Sequence, residues 1–251
     1  MRPIDSIMAD FIKIAHRGSS GSYPENTRLA FEKAIEAGAD MIEMDCQLSK
    51  DGHVVVIHDE RLNRTAGANG YVKGKTLKQL KKLDVGAWFK KSFKGERILT
   101  LEEVMEIVAG KVDLNLDIKH FPRGPLGIEI KILFILSHYD YLERTILSSF
   151  DYYLLRRIRE LAPDVQIGIL YGSGMKDNPF QTAREVNAYS IHIQRELATP
   201  HFLERAGQLG LKSFVWTVNE VKEMEKVLSL GVDGIISNFP EKFWKIKQRK
   251  R

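Results

Sequence analysis

Eight short β-branched or apolar runs, at residues 12–16, 41–48, 113–119, 145–150, 166–171, 188–193, 212–218 and 234–237, are separated by amphipathic stretches. Strands that alternate with helices pair in parallel, because each crossover returns the chain to the same end of the sheet. Apolar residues three or four apart mark the helices, as at Val221, Met224, Val227 and Leu228. Gly38, Gly210 and Gly231 precede the next strand, where a left-handed helix cap suits glycine. Asn26 or Thr27 can cap the first helix. Eight strand and helix pairs predict an α/β fold, a closed (β/α)8 TIM barrel rather than an open doubly wound sheet.

One interval breaks the rhythm. Between the second and third barrel strands lie about sixty residues, with an extra apolar run at 54–57 and a segment at 77–93. That is too long for an ordinary connection, so a small insertion, approximately residues 53–98, is expected there, with Trp88, Phe89 and Phe93 as its aromatic cluster. The 251 residues suit a single barrel domain over 1–251.

The formal charge is +5, concentrated in the lysines of residues 73–94 and in the tail Lys245, Lys247, Arg249, Lys250 and Arg251. No nucleic-acid recognition motif accompanies these charges, so solvated faces that favour a small anionic substrate are expected. A lone cysteine, Cys46, excludes an internal disulfide and a multi-cysteine zinc site. Residues 1–14 lack a signal-like apolar run, and no stretch approaches the ~20 residues of a membrane span. A soluble cytoplasmic protein without membrane insertion is expected, and its oligomeric state is left open.

Along a strand, residues two apart share a face, so Glu43 pairs in direction with Asp45, and Asp117 with Lys119. Charges inside a barrel strand are costly to bury unless they are paired or hold a metal. Three carboxylates from neighbouring strands would give an all-oxygen site for one divalent cation, Mg2+ or Ca2+. Without a metal, the same residues would be interior ion pairs. His16 and Arg17 follow the first strand, and His58 and Asp59 follow the run at 54–57. Two histidines, a metal and basic side chains are the parts of phosphodiester hydrolysis. His53, His120, His138, His192 and His201 are read as structural. Cys46 points away from Glu43 and Asp45 and is read as a packing residue.

The motifs Ala15-His16-Arg17-Gly18, Pro24-Glu25-Asn26-Thr27, Glu43-Met44-Asp45, the run from Asp51 to Asp59, Asn115-Leu116-Asp117-Ile118-Lys119 and Trp216-Thr217-Val218-Asn219 stand in this order. Together they resemble the glycerophosphodiester phosphodiesterase family, over about residues 14–240. The stretch Leu83-Asp84-Val85-Gly86-Ala87-Trp88-Phe89 and Thr100-Leu101-Glu102-Glu103-Val104 are similar to that family's insertion. The resemblance implies hydrolysis of a glycerophosphodiester to an alcohol and glycerol 3-phosphate. It implies His16 and His58 as the acid/base pair, and Glu43, Asp45 and Asp117 as metal ligands. Arg17 and Lys119 would meet the phosphate and Trp216 the glycerol, with Glu25 and Asn26 supporting the first loop. Helix capping alone could account for Asn26.

Two positions depart from the family pattern. Asp117 stands where glutamate is usual, a carboxylate shorter by one methylene, and Asn238 stands where aspartate is common, which removes a charge. Two other activities fit the same sequence. A cyclising, phospholipase-D-like phosphodiesterase would use a hydroxyl of its own substrate as nucleophile, and a non-catalytic barrel would bind phosphodiesters without cleaving them.

Overall fold

The computed structural model describes residues 11–119 and 127–246. Residues 1–10, where no signal-like run was read, lie outside the described residues, as do His120 and the tail residues Lys247, Arg249, Lys250 and Arg251. The chain begins with β1 (Ile12–His16), α1 (Arg28–Glu36) and β2 (Met41–Leu48). It continues through β3 (Val54–Val56), α2 (Asn63–Ala66), α3 (Leu77–Leu80), β4 (Leu99–Thr100) and α4 (Leu101–Val108). Strand and helix then alternate: β5 (Asp113–Ile118), α5 (Ile128–His138), β6 (Thr145–Ser149), α6 (Tyr152–Leu161), β7 (Gln166–Tyr171) and α7 (Pro179–Glu185). The last elements are β8 (Ser190–Gln194), α8 (Pro200–Gln208), β9 (Lys212–Trp216), α9 (Val221–Leu228) and β10 (Gly234–Ser237).

Eight of these strands close a parallel barrel in the order β1, β2, β5, β6, β7, β8, β9, β10. Closure is made at β1, where Ile14 lies opposite Ile236 on one side and Met41 on the other. Lys119, Phe150, Thr217 and Val218, expected in strands, sit just beyond them. The chain turns outward there to start the next helix; Asp151, one residue after Phe150, caps α6 through the Tyr153 and Leu154 amides.

Inside the barrel, Ile14, Met41, Ile146, Phe214 and Ile236 pack together. A larger apolar layer fills the space between strands and helices. His192, one of the five histidines read as structural, is fully buried. Its Nε2 lies 2.8 Å from Ser190 Oγ and its Nδ1 3.4 Å from Asn115 Nδ2. Gly168 makes room for it: a Cβ there would lie 2.7 Å from His192 Nε2.

The long interval departs from β2 itself. The first half of β2 pairs with β1, and the second half pairs antiparallel with β3, Cys46 opposite Val56 and Leu48 opposite Val54. β4 extends this ribbon. The intervening residues bury Leu62, Val72, Leu80, Val85 and Ile98 in a small core of their own with Val55 and Ile57. Trp88, Phe89 and Phe93 form a ring-to-ring chain with centroids 5.7 and 5.8 Å apart. Tyr23, from the loop after β1, extends it at 5.7 Å from Phe93. Residues 61–98 hold eleven Lys or Arg against two Asp or Glu, a formal +9 in a chain of net +5. Among the described residues, no helix is long and apolar enough to cross a membrane.

Candidate active site

The loop after β1 is folded back on itself by two residues in the left-handed region, Arg17 at φ 54° and Asn26 at φ 58°. Such geometry is strained for arginine and mild for asparagine. The Asn26 amide N–H donates to the Arg17 carbonyl, closing the loop at 3.1 Å. Thr27, not Asn26, caps α1, accepting from the Ala30 N–H. Asn26 is thereby free for another partner: its Nδ2 donates to Asp45 Oδ2 at 2.8 Å.

β2 and β5 carry the acidic residues. Asp45 and Asp117 are register partners on these adjacent strands, and Glu43 lies one alternation earlier. All three are buried, and one oxygen from each lies within 4.8 Å of the others. Arg17 donates its backbone N–H to Glu43 Oε2 at 2.9 Å, and its Nε lies 3.2 Å from Asp45 Oδ2. Lys119 Nζ reaches Asp45 Oδ1 at 2.9 Å and also bonds to Asp117 Oδ2. Asp117 Oδ1 is buried and has no hydrogen-bond partner among the described residues.

Three carboxylates thus face two cations in a water-poor site. Burial, reinforced by the Asp45 charge, pushes Glu43 well above the usual carboxylate range, and burial raises Asp117. Burial also works against Asp45, but Lys119 and Arg17 outweigh it and hold Asp45 low. An all-oxygen trio with one orphaned oxygen and a deficit of positive charge could hold a hard divalent cation.

His16, at the end of β1, and His58, in the loop after β3, flank this trio. His16 Nδ1 lies 2.5 Å from Asn238 Oδ1, while its Nε2 faces Glu43 Oε2 at 3.9 Å. An amide oxygen only accepts, so Nδ1 carries the ring proton and Nε2 presents the lone pair. Burial and then the Arg17 charge bring His16 down to about 4, so the ring is neutral near pH 7. His58 Nδ1 lies 2.7 Å from Asp59 Oδ1, which leaves its Nε2 free as well. Arg64 beside it brings Asp59 down to about 2. Glu25 Oε1 accepts from Arg17 Nη1 at 2.9 Å.

Trp216 ends β9 with its Nε1 donating to the His192 carbonyl at 3.0 Å. Its ring meets Phe150 edge to face at 5.9 Å, and Lys119 Nζ lies 6.0 Å from the Phe150 ring. Cys46 is buried, as strand alternation required, and burial pushes its thiol up. Sequence reasoning missed Phe150, the contact of Asn238 with His16 and the linking role of Arg64. Phe150 carried a usable signal, an aromatic residue directly after a barrel strand. The other two depend on contacts across 222 and 39 residues.

The chain matches the model of the glycerophosphoryl diester phosphodiesterase family over residues 16–242. It is 46% identical to a glycerophosphodiester phosphodiesterase of Caldanaerobacter subterraneus subsp. tengcongensis, over 91% of this chain and 94% of the relative. One similar solved structure is an Oleispira antarctica phosphodiesterase in complex with the product sn-glycerol-3-phosphate, at TM-score 0.84 and 28% identity, covering 93% of this chain and 95% of that one. Another is a glycerophosphodiester phosphodiesterase of Thermotoga maritima, at TM-score 0.77 and 31% identity, covering 94% and 98%.

Proposed function

The chain belongs to the glycerophosphoryl diester phosphodiesterase family and is an enzyme of that class, and on that premise we propose a two-histidine, metal-dependent hydrolysis of glycerophosphodiesters to an alcohol and glycerol 3-phosphate. The observation that carries the reading is the buried trio Glu43, Asp45 and Asp117, one oxygen of each within 4.8 Å of the others, in which Asp117 Oδ1 has no hydrogen-bond partner among the described residues. Glu43, Asp45 and Asp117 would hold one divalent cation, Mg2+ or Ca2+. When bound, the cation supplies Lewis acidity for the negative charge that grows on the phosphate.

The protein's own groups perform the remaining steps. Arg17 and Lys119 hold non-bridging oxygens of the phosphate, and Trp216 lies against the glycerol carbons. His16 accepts at Nε2 the proton of the attacking water as its oxygen bonds to phosphorus. The bond from phosphorus to the alcohol oxygen breaks, and His58 gives that oxygen a proton from Nε2. An alkoxide is a poor leaving group, so this proton is essential to the rate. Asn238 and Asp59 fix the two rings by holding their Nδ1 atoms. Glu25 and Asn26 set the first loop through Arg17 and Asp45.

The partner in this reading is a water-soluble, deacylated phospholipid head-group diester handled in the cytoplasm, with no part for nucleic acid. The test is release of glycerol 3-phosphate from glycerophosphocholine and glycerophosphoethanolamine, after chelation and then with Mg2+, Ca2+ or Mn2+ restored. Activity lost with chelation and regained with one cation supports the reading. A cyclic phosphate in the phosphorus NMR spectrum would replace water by a substrate hydroxyl as nucleophile. Changing His16 or His58 to alanine should lower turnover by ~10²- to 10⁴-fold, and a loss below about tenfold at both would remove them from the chemistry.

A further inference from the structure

Arg64 lies on α2, within the insertion, and its guanidinium holds two carboxylates from different loops. Nη1 and Nη2 bind Glu25 Oε2 and Oε1 at 2.7 and 2.8 Å. Nε and Nη2 bind Asp59 Oδ2 and Oδ1 at 2.6 and 3.0 Å. Each carboxylate has a second duty: Glu25 accepts from Arg17, and Asp59 receives the His58 ring N–H. A continuous chain of hydrogen bonds therefore runs from His58 through Asp59, Arg64 and Glu25 to Arg17. The Trp88 ring covers the guanidinium, with Cζ 5.5 Å from its centroid.

We infer that Arg64 is a positioning residue that locks the His58 loop to the Arg17 loop, so that the proton donor and the phosphate-binding arginine keep a fixed separation. The inference rests on the roles proposed for His58 and Arg17. Arg64 itself touches neither residue. It works by denying Asp59 and Glu25 any other geometry, and a planar fork is required, since four bonds to two carboxylates cannot be made by the single ammonium of lysine. The arginine lies in the insertion, so the +9 segment completes the site rather than decorating the barrel.

A leaving-group comparison tests this. From glycerophosphoethanolamine the ethanolamine oxygen departs as an alkoxide and needs a proton, whereas from the p-nitrophenyl ester of glycerol 3-phosphate p-nitrophenolate departs as a stable anion and does not. Arg64→Lys and Arg64→Ala should lose ~10- to 100-fold in kcat on glycerophosphoethanolamine, the loss typical when an orienting partner is removed. On the nitrophenyl ester the kcat loss should stay within about threefold, because no acid is used there. KM should rise alike for both substrates through Arg17. Guanidinium ion added to Arg64→Ala should restore part of the lost rate, and circular dichroism of both variants checks that they fold.

His58→Ala is measured alongside. If His58→Ala discriminates between the two leaving groups and the Arg64 variants do not, the positioning role is overturned and the acid assignment stands. If His58→Ala slows both substrates equally, the acid assignment falls and the inference falls with it.

Discussion

Asp45 and Asp117 face each other as register partners on adjacent parallel strands, two carboxylates where a barrel ordinarily places aliphatic side chains. Like charges in that position repel, and here Lys119 stands between them, bonded to both. With Glu43, the pair could hold a metal ion. Asp117→Asn should therefore leave the chelated protein at least as stable as the parent, because the raised Asp117 carboxyl no longer has to ionise in a dry site. The same change should abolish stabilisation by added Mg2+ or Ca2+. Thermal unfolding with chelator and with each cation checks this, and a variant that still gains stability from the cation would argue against Asp117 as a ligand.

Asn238 should matter for rate more than for stability. Its amide oxygen selects the ring proton of His16, and Ser20 Oγ donates to the same oxygen at 3.1 Å. Asn238→Ala removes the selection and should lower kcat by ~10- to 100-fold. Asn238→Asp keeps an acceptor in place and should retain most of the rate. Steady-state kinetics on glycerophosphocholine decide, and parental turnover in Asn238→Ala would separate His16 orientation from this contact.

The barrel and its acidic centre were legible because they obey short-range rules. Glu43 with Asp45, and Asp117 with Lys119, are two apart in strands, so alternation alone puts each pair on one face. Strand ends were read a residue or two long at Lys119 and Phe150, where a polar or aromatic residue continues the pattern after the backbone has turned. Asn26 stayed ambiguous because its side chain can cap a helix or reach across to a strand, and only the φ of 58° with Thr27 in the capping position separates the two. Asn238 was read as a lost charge. The useful property at that position is an acceptor, which an amide supplies as well as a carboxylate.

His192 should make the fold acid-sensitive. Burial brings it down to about 3, while in the unfolded chain it titrates near 6.5. Below 6.5 the unfolded chain takes up a proton that the folded one refuses. The stability tied to the neutral ring is therefore complete above 6.5 and is lost as pH falls toward 3, at up to ~1.4 kcal/mol per pH unit. His192→Gln should reduce the stability difference between pH 7.5 and pH 5.0 by about 2 kcal/mol, whatever its effect at pH 7.5 alone. Urea unfolding at both pH values measures this, and an unchanged difference would show that the unfolding pH dependence arises elsewhere.

The +9 segment should act on encounter. Lys90, Lys91 and Lys94 are exposed on the segment that contacts the first loop through Phe93 and Tyr23. Replacing the three lysines by glutamine should lower kcat/KM for an anionic diester by a few-fold at low salt, roughly, and leave kcat alone. At an ionic strength near 1 M, where the screening length falls to about 3 Å, parent and variant should converge. A difference that persists in high salt would mean the lysines contact the substrate directly.

Closure of the barrel sets an order of assembly. β1 finds its second neighbour only in β10, so residues at the start of the chain wait for residues 234–237 before the ring exists. His16 waits one residue longer for Asn238. A nascent chain can gather the carboxylates, Lys119 and the inserted lobe from residues 12–119, yet it holds an open sheet with a free edge at β1 until residues 234–237 have been made. Pairing across such sequence distance is slow, and an open edge invites other chains. Removing residues 234–238 should therefore yield aggregation rather than a weakened enzyme: β10 is the clasp, and His16 is fastened beside it.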